Sequence, residues 1–511
     1  MRYVLTAFVI GLIMLAATPL SVQARMGDMG FFGGISEGRR LPRTTETVLL
    51  EQGSTNARRG SAITMNYREL IFLADSEPVL FEGILEISSG NPAPDSDSGT
   101  FNVTYTVRPS FATTEEAEIN RTMTFRVYYH REGNQMVYFY HLTNWTESIN
   151  TPHGDFVLDT DRSTFNLSII EDQTPGVSYY RGDVFSRRVF IRDEDAVVTV
   201  EQEGEFYGFS TAWSATETHR MNVSVVADGW ALQYQIRPSV TVNKILQHVA
   251  NEPTVISFEG NYREIHQSFA GLRYDIFVRP NSMWNVPMDG TINLETVNVF
   301  EQLHAPDLSF IRGNPAEDDI HRLFAMRVLQ GDPRTFVPEQ AITRGQFFTA
   351  LARAIKLPVE QIAPARGRRQ PVIVNLFTDV DSNRPEFIYI QAIQRAGIAY
   401  GRADGRFYFD YPISRQEAFT TTVRALGLTN MGLNPTVVTP FTDSHDIAYW
   451  AIREIGVAQM LGIIAPDENG NIHPNRAISK GEAAALFNHL IEYMRAGLVS
   501  EYAEQIVNIA R

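Results

Sequence analysis

Three basic side chains occupy equivalent places in a pattern that returns along the last third of the chain: Arg344, Arg415 and Lys480. The copies read Ile342-Thr343-Arg344-Gly345-Gln346, Ile413-Ser414-Arg415-Gln416-Glu417 and Ile478-Ser479-Lys480-Gly481-Glu482. A hydroxyl residue followed three positions later by Gln or Glu fits a capping box, in which each side chain satisfies an orphan N–H of a helix start. Apolar residues at helical spacing follow, as in Phe347, Phe348, Leu351, Ala352 and Ile355. The basic residue therefore falls in a first helical turn, where the dipole disfavours positive charge. Either it points to solvent or pairs with a neighbouring acid, or it joins the helix N–H groups in holding an anion.

Around each cation the chain repeats over roughly 70 residues, and a period of that size marks a repeated structural unit. Copy two opens on Phe377-Thr378-Asp379. It runs through a helical stretch, Ile390 to Ala396, into Gly397-Ile398-Ala399, then the turn Asp404-Gly405-Arg406-Phe407, then its capping box. Copy three opens on Phe441-Thr442-Asp443 and passes Trp450 and Ile455 to Gly462-Ile463-Ile464. The turn Asn469-Gly470-Asn471-Ile472-His473-Pro474 and the third box follow. Each box begins six residues after Phe336, Phe407 or Ile472.

This arrangement resembles the S-layer homology repeat, over about residues 307–494. The resemblance implies an all-α, pseudo-threefold bundle that holds a secreted protein non-covalently on the cell wall. The implied partner is an anionic secondary cell-wall polymer, often pyruvylated, or a peptidoglycan-linked glycan. The polysaccharide-binding residues it implies are Arg344, Arg415, Asp379, Asp443 and Trp450, with Lys480 in place of the third Arg and lacking its bidentate fork. Copy one has no F-x-D opening. Pro315 and Pro385 stand at the Trp position of copies one and two, Ala465 replaces a glycine, and Phe409-Asp410 disturb a turn. One or two working grooves are therefore expected, with Arg415 and Arg344 foremost.

The remaining chain sets bounds. With 511 residues it can hold several domains. It has no cysteine, which excludes disulfides, thiolate metal sites and a Cys nucleophile. A formal net charge of −15 opposes non-specific nucleic-acid binding. Residues 1–24 read as a secretory signal: Arg2, an apolar run from Val4 to Ala17, and a Val22-Gln23-Ala24 cleavage pattern. No membrane association is expected after cleavage, and the expected location is the cell surface, wall or S-layer.

Residues 25–43, rich in Gly and Arg, read as a flexible leader. Residues 44–304 read as all-β and antiparallel, sandwich-like, on alternating runs such as Phe101 to Val107 and Met123 to Tyr128, split by turns at Gly133-Asn134 and Asp228-Gly229. Pro109, Pro238 and Pro280 are expected to close strands. The repeats divide as 305–364, 365–434 with a basic linker at Arg366, Arg368 and Arg369, and 435–496. A helical tail, 497–511, follows.

No H-E-x-x-H, G-x-S-x-G, phosphate-loop or dinucleotide pattern occurs. His130, His141 and His153 match no metal spacing, and Asp155, Asp159 and Asp161 lack the Gly and Glu of a calcium loop. No cofactor or metal is expected. The leading expectation is a wall-anchored surface protein without catalysis, able to self-assemble. The alternatives are a wall-anchored glycan hydrolase with paired carboxylates in the β-rich part, or a glycan- or protein-binding module there.

Overall fold

The computed structural model describes residues 27, 29–50, 62–90, 97–110, 117–193, 196–249, 261–294, 296, 298–360, 375–428 and 439–500. The expected signal segment, the basic linker and the tail beyond residue 500 lie outside the described residues. No helix among the described residues is long and apolar enough to cross a membrane.

From Ala62 to His304 the chain runs almost entirely in antiparallel strands, most of them pairing with their neighbours in sequence; Gly154–Leu158 and Thr164–Gln173 both lie between Gln135–Thr151 and Ser178–Arg192, and Asp289–Leu294 and Val299–His304 both pair with Asn261–Val278. With the short strand Ile35–Ser36 they form one continuous fifteen-stranded sheet among the described residues, so the β-rich expectation holds in its coarse form while the strands do not divide into the two sheets of a sandwich. The long strands carry strict alternation. In Glu118–Glu132, Ile119, Met123, Phe125 and Val127 turn inward, while Glu118, Asn120, Arg126 and Tyr128 face water.

Accumulated twist curls the sheet until its ends approach. Arg68 Nη1, near the first long edge, donates to the Asn293 carbonyl near the last at 2.5 Å. The short strand Ile35–Ser36 pairs with Arg68 and Tyr67 at that seam. Inward residues from the whole circuit merge into one apolar core.

Pro238 does not close a strand. It lies within the twenty-residue strand Trp230–Val249. Opposite it, His219 and Arg220 fall outside the paired register, and at that irregularity its missing N–H costs no ladder bond.

Residues 29–43 are not a loose leader; they thread the curl as a strap. Met29, Phe31, Phe32 and Ile35 are all buried. Gly34 is required there, since a Cβ would meet the Tyr67 ring at 2.1 Å. Phe32 stacks on Trp145 at 5.8 Å, with the Arg121 and Arg188 guanidiniums each 4.5 Å from its ring centroid. Arg121 forks onto Glu69 at 2.8 and 3.0 Å and reaches Glu147 at 2.7 Å. Burial alone would push the Glu69 carboxyl up, but Arg121 beside it holds it below the usual range. Composition suggested disorder for the strap; aromatic burial and this charged cage override it.

Among the described residues the C-terminal part holds six α-helices: α1 (Glu317–Ala325), α2 (Arg344–Ala354), α3 (Phe387–Arg395), α4 (Arg415–Ala425), α5 (Ile452–Met460) and α6 (Lys480–Glu492). Each repeat contributes two, and they pack across repeats: α2 on α3, α4 on α5 and α6 back on α1. The second helices end against the base of the curled sheet. Trp213 Nε1 donates to the Ala354 carbonyl at 2.8 Å, the Gly176 N–H to Ala425 at 2.7 Å, and Ser214 Oγ to Met494 at 2.5 Å. The carbonyls at the ends of α2 and α4, and that of Met494 in the π-helical turn Tyr493–Gly497 that follows α6, thus find donors from one surface. Val177, Tyr207, Phe209, Trp213, Tyr262 and Leu303 join the helical core, so the two parts share an apolar joint.

Candidate functional site

The six residues singled out from the sequence lie at the end of the helical lobe away from the sheet, around the starts of α2, α4 and α6. Three isoleucines tie those starts together. Ile342 N donates to Ile478 O at 3.0 Å, Ile478 N to Ile413 O at 3.1 Å, and Ile413 N to Ile342 O at 3.3 Å. This cyclic set closes a threefold collar of buried side chains.

The first helical N–H groups are not open to a ligand. Arg344 N donates to Tyr411 O at 2.8 Å and Gly345 N to Phe409 O at 2.9 Å. Arg415 N and Gln416 N donate to Arg476 O and Pro474 O, and Lys480 N and Gly481 N to Gln340 O and Pro338 O, at 2.9–3.0 Å. Each helix tip is capped by the turn of the next repeat in the ring. The third N–H goes to its own cap hydroxyl on Thr343, Ser414 or Ser479. The expectation that N–H groups and cation jointly hold an anion is corrected by this accounting.

The two arginines are braces between repeats. Arg344 pairs with Glu417 of α4, and its Nε donates to the Phe407 carbonyl at 2.8 Å. Its side chain is 6% exposed, and burial, with Arg402 adding to it, pushes the guanidinium down to about 10. Arg415 repeats the device on Glu482 at 2.7 Å and the Ile472 carbonyl at 2.6 Å. Glu417 therefore turns to Arg344, and copy two keeps only half of the expected capping box; copies one and three keep both halves.

Asp379 and Asp443 complete these braces from the other side. Asp379 accepts from Phe407 N and Tyr408 N, both at 2.7 Å. Asp443 accepts from Ile472 N at 3.0 Å and His473 N at 2.7 Å. An acid thus takes the N–H, and the arginine the C=O, of one turn residue: Asp379–Phe407–Arg344 and Asp443–Ile472–Arg415. Tyr408 and His473 sit at φ 60° and 49°, and the second bond from each Asp secures that left-handed backbone.

The third junction differs. Copy one places Asp307 at the matching distance before Phe336, but its Oδ1 accepts from Ser309 N at 2.9 Å while Phe336 N donates to Pro333 O, and the residue three positions past the cap is the neutral Gln346. Lys480 donates to Gln340 Oε1 at 2.7 Å and lies over the Phe336 ring at 5.5 Å. No carboxylate pairs with it among the described residues. Burial lowers its pKa. Trp450 is half exposed, beside Tyr449, on a turn whose Ala448 N donates to Gln416 Oε1 at 2.9 Å. That places it near the junction of repeats two and three.

Sequence reading treated Glu417 and Glu482 only as caps and did not single out Gln340 or Phe336. A hint was present: the basic residue and the acid of successive copies recur together, as a ring of partners requires.

One trio among the described residues, Glu264, His266 and Glu301, has ligand-type atoms within 4.8 Å of one another. Lys244 already sits 3.4 Å from Glu264, and Thr44 and His266 also bond it. Burial raises the Glu264 carboxyl, yet these partners hold it down at about 2. The chain's own ammonium supplies the cation in this cluster.

A family model described as the S-layer homology domain matches residues 311–348, 376–419 and 440–484. An S-layer protein of Bacillus licheniformis is 29% identical over 173 residues, which is 34% of this chain and 18% of that protein. An S-layer protein of Bacillus anthracis gives the same identity and coverage. An amylopullulanase of Thermoanaerobacterium thermosulfurigenes is 26% identical over 184 residues, 36% of this chain and 9% of that protein. The chain thus matches less than a fifth of the length of each of these relatives. The helix pairs, the collar and the matched segments coincide, and the C-terminal third of this chain is a triplet of S-layer homology repeats.

Proposed function

We propose that this is a cell-surface protein held on the wall by its three repeats, which grip an anionic wall polysaccharide and display the curled sheet. The observation that supports this most is the polarity of the helical lobe. The C-terminal ends of the second helices are fastened to the sheet, and α2 and α4, eleven residues or about 16 Å long, carry their tips to the opposite end. The tip face is thereby presented outward on a rigid joint.

Within that face, Arg344, Arg415, Asp379 and Asp443 frame the grooves. Lys480, the cation without a carboxylate partner among the described residues, makes the charged contact, and the half-exposed Trp450 supplies an apolar face for a sugar ring. A ketal carboxylate on the polymer suits the ammonium, which carries three donors. The sheet is displayed without turnover.

The test is retention of the full chain on purified wall sacculi. Retention is expected, with Lys480→Gln weakening it about 10- to 150-fold, from about 1.5–3 kcal/mol for a charge-assisted contact. A folded wild-type chain that stays in the supernatant, on walls that hold another repeat-bearing protein, overturns the proposal.

A further inference from the structure

The largest cavity described lies on the outer face of the curled sheet, well apart from the repeats. It is an open trench of about 800 Å³ crossing five strands, Gln135–Thr151, Thr164–Gln173, Ser178–Arg192, Ala196–Ser210 and Ser214–Ala227. Register builds it from two rows. One runs Phe139, Ser168, Asp183, Glu205, Arg220, each directly opposite the next. The other runs Asn166, Phe185, Glu203, Asn222. At about 4.8 Å per strand step, the first row spans about 19 Å.

The chemistry of these rows is mixed in a specific way. Phe139 and Phe185 are 56% and 39% exposed, offering flat apolar faces on an otherwise polar surface. Between and beside them stand carboxylates, amides and a hydroxyl at the two-residue period of a strand. Glu205 is held by Arg181 at 2.8 Å, and Asn222 Oδ1 by Gln235 at 2.9 Å, so acceptors are fixed in place. A few apolar faces with fixed polar groups between them is the pattern of a small-ligand or oligomer site.

Charge selects the occupant. Three carboxylates, Asp183, Glu203 and Glu205, outnumber the two guanidiniums, Arg181 and Arg220, and the chain carries −15 overall. An anionic polymer is repelled. Sugar rings present C–H faces to stack on phenyl groups and hydroxyl edges to meet carboxylates and amides. We infer that this trench binds a neutral oligosaccharide chain lying across the strands, a second glycan site that, unlike the proposed wall anchor, takes an uncharged chain. It binds without cleavage: the acids stand on an open sheet face, and Glu205 is committed to Arg181, whereas a general acid needs an apolar, shielded setting.

Calorimetric titration of the full chain with cellohexaose, maltohexaose and chitohexaose tests this. Saturable binding of at least one is expected, weakened tenfold or more by Phe185→Ala and by Glu203→Gln, with wall retention of both variants unchanged. Unchanged retention separates this site from the anchor. No binding of any of the three, equal binding by a folded Phe139→Ala/Phe185→Ala variant, tighter binding of tetralysine than of the sugars, or release of new reducing ends would each overturn the inference.

Discussion

Replacing Arg344 by Ala removes its brace to Glu417 and the Phe407 carbonyl, and the consequences can be worked from its surroundings. The Phe407 carbonyl loses its Nε donor, and a stranded buried acceptor costs about 1–3 kcal/mol. Glu417 loses its partner, but its side chain keeps 27% exposure and re-solvates, so the 3–5 kcal/mol of a fully buried broken pair is discounted. The expected loss is about 2–4 kcal/mol, read from urea unfolding followed by the helical circular-dichroism signal. Replacing both partners, Arg344→Met with Glu417→Met, swaps the ion pair for apolar packing against Phe348 and Phe407. The ion pair itself drops out, so a loss of about 1–3 kcal/mol is expected, that of the Phe407 carbonyl left without its donor. That double variant should also be retained on sacculi like the parent. A stable double variant that no longer binds wall would show Arg344 touching the polymer and refute the brace assignment.

Three further outcomes are expected. Arg121→Ala, which strands Glu69 in the core and leaves Glu147 to Arg188 alone, should cost about 3–5 kcal/mol and expose the strap to limited proteolysis; unchanged cleavage would argue against the cage. Trp213→Ala should cost about 3–5 kcal/mol and split thermal unfolding into two transitions, since it empties the joint and frees the Ala354 carbonyl; a single unshifted transition contradicts a shared core. Lys356, half-buried and close to Lys244, has its pKa pushed down to about 7 by desolvation and donates to the Thr44 and Glu46 carbonyls. The unfolded chain binds the extra proton between that value and its ordinary 10.5, so stability should rise as pH climbs through that window. Lys356→Met should flatten the rise in equilibrium unfolding measured across it.

Much of the helical lobe was legible because its signals are local. Capping residues, turn glycines and a 3.6-residue apolar rhythm depend only on nearby neighbours. Gly397 and Gly462 take positive φ just after α3 and α5, as their place in the pattern implies, while copy one forces Arg327 into the same conformation at φ 57°. The strands were legible from alternation and from the turns at Gly133-Asn134 and Asp228-Gly229. The strap was not, because its glycines and arginines look unstructured until Tyr67, Trp145 and Glu69 surround them.

By itself the sequence determined the repeat count, the helix starts, the alternating strands and the identity of the three tip cations. Only the tertiary structure decided what those cations do. Whether a side chain in a first helical turn meets a ligand or a neighbour depends on what closes over it from another repeat, about 70 residues away in the chain. Here Glu417 and Glu482 close over two of the cations, and Gln346 leaves the third without a charged partner among the described residues. The curling of the sheet is likewise a sum of small twists over fifteen strands, a property that no single strand's residues encode.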